Sequence, residues 1–142
     1  MSSLNEEEAE EIVDFLYETK IWCYKEFCIC YLTINNFFTR DILTLIDYLF
    51  FPEHKLLNSV TYRGYLVKVC CRVVTTLSSP GYKEYAEHIL NRIDSYNLVH
   101  TMFHMNLRNI TKGYWVYCFV NAKEGDDMML QGVQIFKEIG MP

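Results

Sequence analysis

The sequence predicts an all-α protein, a helical bundle around a central hydrophobic hairpin. Three observations carry this. Residues Ser59 to Leu77, SVTYRGYLVKVCCRVVTTL, are apolar around most of a helical circumference, and Lys68, Arg72, Thr75 and Thr76 form a narrow polar strip at about 100° per residue. A helix of that kind is surrounded by others. Only 6 Gly and 3 Pro occur in 142 residues, too few for the turns of an all-β chain. Elsewhere apolar residues recur at helical spacing, as in Ile42, Leu45, Ile46, Leu49 and Phe50.

Each element follows in chain order. Ser3 with Glu6 fits a capping box, and the acids Glu6, Glu7, Glu8, Glu10 and Glu11 suit the positive end of a helix dipole, so a first helix is expected over about 4–20. Residues 21–36 have strand-like composition, but no partner strand is evident, so a helical segment broken at Asn35-Asn36 is expected. Thr39 caps the next helix and Pro52 ends it. The central helix stops at Ser78-Ser79-Pro80-Gly81. Tyr82, Ala86, Ile89, Leu90 and Ile93 mark its antiparallel return over about 82–96, with a kink near Asn97. Residues 109–113 read as a loop or helix start before an aromatic segment, 114–120. Met129, Val133 and Phe136 mark a closing helix over 128–139.

Composition bounds the function. With 51% hydrophobic and 15% aromatic residues, the chain can fill the core of one domain, residues 1–142, and keep apolar surface for a partner. The excess also allows a homodimer. A net charge of −5 without a basic patch points away from nucleic acid. No apolar run reaches the roughly 18 residues of a membrane span, and the C-terminal IFKEIGMP is no hydrophobic tail. Six cysteines without a secretory signal imply reduced thiols in a cytosolic compartment.

Candidate chemistry is sparse. His100 and His104 are four apart and so are expected to share a helix face, but a zincin needs Glu where Thr101 stands. Cys70 and Cys71 neighbour Lys68 and Arg72 in sequence without a base to make a thiolate. No catalytic residue, metal ligand or cofactor is assigned, and a small helical metal or thiol enzyme is the least favoured reading. An excess of Tyr, Phe and Met suits a groove for an amphipathic helix.

The order of elements then resembles the Bcl-2 family, especially its divergent viral apoptosis inhibitors. Thr61-Tyr62-Arg63-Gly64 stands where that family carries N-W-G-R, with Arg and Gly transposed. Lys112-Gly113-Tyr114-Trp115-Val116-Tyr117 stands where it carries G-G-W-x-x-F. The resemblance implies a Bcl-2-like bundle around a hairpin at 60–77 and 82–96. Its surface groove would bind the BH3 helix of pro-apoptotic partners and so block mitochondrial apoptosis. The groove candidates are Phe38, Ile42, Leu45, Leu49, Tyr62, Arg63, Gly64, Leu66, Cys70, Tyr114 and Tyr117, some of them core. Arg63 would pair with the partner's Asp, although the transposition turns it by about 100°. The implied location is the host cytoplasm, with recruitment to mitochondria. The runner-up keeps the fold but makes the protein a viral inhibitor of innate immune signalling.

Overall fold

A computed structural model describes residues 4–50 and 55–140. Among these, seven α-helices and two short 3-10 turns occur and no strand. The helices are α1 (Glu6–Glu18), α2 (Tyr24–Thr33), α3 (Thr39–Phe50), α4 (Val60–Ser78), α5 (Lys83–Ser95), α6 (Met102–Phe119) and α7 (Ala122–Glu138).

Helix α1 is capped two residues later than the Ser3 box, by Asn5, and Ser3 lies outside the described residues. Asn5 Oδ1 accepts from Glu8 N at 2.8 Å, and Glu8 Oε1 accepts from Asn5 N at 3.1 Å. Two orphan donors are thereby satisfied reciprocally. The ambiguous segment 21–36 is helical, as α2 and a 3-10 turn at Ile34–Asn36. Buried Glu26 holds its start by accepting from Cys23 N at 2.8 Å. Trp22, Phe27, Cys30 and Ile34 carry this region into the core, beside Leu16 of α1. Thr39 is the first residue of α3 rather than a cap outside it, and Pro52 lies outside the described residues.

Helix α4 occupies the centre as expected. Ser59 Oγ accepts from Tyr62 N at 3.3 Å to cap it. Ten of its residues are buried, among them Leu66, Val67, Cys70, Val73, Val74 and Leu77. It packs against α2, α3, α5 and α6. Full burial of each such aliphatic side chain contributes about 1.5–3 kcal/mol, before the entropy cost of ordering the chain. Gly81 adopts φ +102° at the turn that follows, while Tyr82 N bonds Leu77 O and Gly81 N bonds Ser78 O, both at 3.0 Å. Only glycine takes that conformation cheaply. The return helix α5 ends the same way, with Asn97 at φ 51° and Leu98 N bonded to Ile93 O at 3.1 Å. The expected kink is thus a full break.

The C-terminal half differs from expectation. Residues 109–113 and 114–119 are neither loop nor separate segment but the middle and end of one helix, α6, whose N-cap Thr101 accepts from His104 N at 3.0 Å. Helix α7 begins at Ala122, capped by Asn121, six residues before the expected Met128. Gly113, Gly125 and Gly132 let α6 and α7 approach closely: a Cβ on Gly113 would meet Met128 Cβ at 2.9 Å, and one on Gly132 would overlap Ile110. Interiors this dense do not absorb an added methyl freely.

Candidate functional site

A cleft of about 670 Å³ opens between α2, α4 and α6, with Met129 of α7 at its edge. Three helical stripes build it. Helix α2 gives Tyr24, Cys28, Tyr31 and Leu32, spaced i, i+4, i+7, i+8. Helix α4 gives Tyr65, Lys68, Val69, Arg72 and Thr75, and α6 gives Phe103, Leu107, Ile110, Thr111 and Tyr114, both at helical spacing. Each helix therefore has two working faces, one toward the core and one toward the cleft. Phe27, Val69, Cys71 and Thr111 form the buried floor. Tyr31 and Leu32 stand exposed on the rim.

The polar strip of α4 runs along this cleft rather than facing bare solvent. The Lys68 ammonium lies 5.6 Å from the Phe103 ring centroid, and the Arg72 guanidinium 5.2 Å from that of Tyr31. Both are cation–π contacts that hold the charges at the walls. No Asp or Glu lines the cleft. Buried Arg72 Nε has no hydrogen-bond partner among the described residues. Beside Lys68, His104 packs against Gly64, where an added Cβ would lie 3.2 Å from His104 Cε1. Burial, then the Lys68 charge and His100, hold the His104 imidazole below its ordinary 6.5. His100 lies ahead of α6, so the two histidines do not share a helix face.

The thiols divide by burial. Desolvation pushes Cys30 up to about 12 and Cys71 up to about 11, and lifts Cys70 well above the usual range. Such sulfurs stay protonated near neutrality and behave as small hydrophobes. Cys23 and Cys118 are exposed, and Cys28 is half-buried at the cleft wall.

The structure disperses the groove residues inferred from the resemblance. Ile42, Leu45, Leu49, Leu66 and Cys70 lie in the core, each at most 2% exposed. Tyr62 is buried too, and its hydroxyl donates to Leu49 O at 3.3 Å. Arg63 donates through Nη1 to Leu57 O at 2.6 Å, so its guanidinium braces the approach to α4. Gly64 faces His104, and Phe38 is exposed beside Arg40 and does not line the cleft. Of the eleven residues only Tyr114 lines the cleft, with Tyr117 stacked on it at 6.3 Å. The α2 stripe was the missed signal: its i, i+4, i+7, i+8 pattern was legible but masked by strand-like composition.

An all-helical domain with one large apolar cleft, edged by two cations, is the class that fold and site define. The chain belongs to the family described as the C-terminal domain of the HTH-type transcriptional regulator Rgg, which it matches over residues 1–142. Nothing among curated proteins or solved structures matches it.

This membership overturns the functional part of the resemblance. The chain is not a Bcl-2 family member, an apoptosis inhibitor or a viral blocker of innate signalling, and BH3-containing proteins are not its partners. Both apparent motifs rest on aromatic exchange. In space, Arg63 is engaged by Leu57 O, and Lys112-Gly113-Tyr114 lies inside α6, where Gly113 packs on α7. The expectation of no nucleic acid also falls, since the family is described as a domain of an HTH-type transcriptional regulator. With it go the host cytoplasm and the mitochondrial surface. The family's description is that of a transcriptional regulator, and the metal or thiol enzyme has no support in it. No described helix is long and apolar enough to cross a membrane.

Proposed function

We propose that this chain is the regulatory domain of a DNA-binding transcriptional regulator acting in the bacterial cytoplasm, and that its cleft receives a short apolar peptide. Regulators of this family bind DNA and peptide pheromones, which supports a peptide as the ligand class. The observation that carries the reading is the cleft itself. Its volume of about 670 Å³ lies within the usual range for ligand sites, and its walls are aromatic and aliphatic.

Its length sets the ligand's size. From Tyr65 to Thr75, α4 rises about 15 Å at 1.5 Å per residue. An extended peptide covers that distance in about four to five residues. Apolar side chains would displace water from Phe27, Val69 and Leu107 and so shift the populations of the regulator's states, provided it binds one state better.

Calorimetric titration with synthetic apolar peptides of about five residues tests this. Saturable binding with a dissociation constant of about 1–100 μM is expected. It should be lost in Leu107→Trp, which fills the cleft from its half-buried wall. No binding by any peptide of the panel contradicts the reading.

A further inference from the structure

The cleft is electrostatically one-sided, and this gives its occupant a polarity. Lys68 and Arg72 lie one turn apart on α4 and both border the cavity. Ion pairs elsewhere engage Lys25, Arg92, Arg108 and Lys123, whereas neither Lys68 nor Arg72 meets a carboxylate among the described residues. Arg72 is half-buried, stacked over Tyr31, and its buried Nε is unpartnered. A buried donor without an acceptor is costly, and a guanidinium presents its donors as a fork matched to a carboxylate.

We infer that the C-terminal carboxylate of the peptide docks between Arg72 and Lys68, with its apolar side chains laid along the rest of the cleft. This rests on the peptide reading above and adds an anchor and a direction. A peptide of apolar residues has one fixed anion, its terminal carboxylate, so charge complementarity selects that group. Away from bulk water such a charge-assisted, bidentate contact is among the stronger hydrogen bonds available. The Tyr31 ring holds the guanidinium in place beforehand, so less freedom is lost on binding.

The test uses N-acetylated peptides of Leu, Ile, Val and Phe, about five residues long, each as free acid and as C-terminal amide. Acetylation leaves the carboxylate as the only charge. The free acids should bind at least tenfold more tightly than the amides. That advantage should vanish in Arg72→Gln, shrink in Lys68→Gln, and fall as salt is raised. Lys68 is exposed, so Lys68→Gln reads the effect without disturbing packing if Arg72→Gln fails to fold. Equal binding of acid and amide by the wild-type chain overturns the carboxylate anchor and leaves the peptide site standing. No binding of either form overturns both.

Discussion

The buried side chain of Asn106 on α6 donates a hydrogen bond to the carbonyl oxygen of Gly132 on α7, 2.7 Å long. It crosses beside Gly132, whose missing Cβ lets the Ile110 side chain lie directly over its backbone. Two predictions concern this contact. Gly132→Ala should destabilise the domain by about 1–3 kcal/mol, the usual cost of forcing a methyl into a packed interface. Asn106→Asp replaces the donor with an acceptor facing the same carbonyl and should cost on the order of 1–3 kcal/mol. Urea unfolding checks both, and unchanged midpoints would show that α7 is not held in this way.

Core and cleft residues should respond differently. Leu45 of α3 is fully buried, so Leu45→Ala should cost about 2–5 kcal/mol through lost burial and the cavity left behind. Thr75→Val, on the cleft side of α4, should leave the stability within about 0.5 kcal/mol of the wild type. Thermal unfolding of the two variants compares them.

Thiol titration should show three groups. Cys23 and Cys118 should react rapidly with a disulfide reagent, and half-buried Cys28 more slowly. Cys30, Cys70 and Cys71 should react only on unfolding, because burial holds their thiols protonated and out of reach. Rapid reaction of more than three thiols in the folded protein would contradict the assignment of Cys70 and Cys71 to the core.

His104 makes stability depend on pH. Its folded-state value lies below the ordinary 6.5, so the unfolded chain binds more protons in that window. The contribution is fully present above 6.5 and is lost as pH falls through the folded-state value. Melting temperature should therefore drop between pH 7 and pH values below 6.5, and less so in His104→Gln. A difference between the two proteins that stays constant with pH would contradict this.

The sequence made the hairpin legible because its signals are local. The polar strip on α4, the Ser78–Gly81 stop and the Ile89, Leu90, Ile93 face each depend on a few neighbouring residues. The cleft was not legible because it depends on pairings across the fold. Tyr31 and Phe103 look like core aromatics until α2 and α6 are set on either side of Lys68 and Arg72. Leu45 and Leu49 look equally suited to core or groove, and only packing assigns them to the core. The resemblance drawn from Tyr62-Arg63-Gly64 failed for a related reason. A short motif fixes residue types, whereas the bond from Arg63 to Leu57 O is set by how the chain enters α4.

Hydrogen–deuterium exchange with and without a saturating apolar peptide acid tests the central claim most directly. Protection should gather on residues 24–32, 65–75 and 103–114, which carry the three stripes of the cleft. Protection confined to α3 and the first turn of α4, or none at any segment, would contradict it.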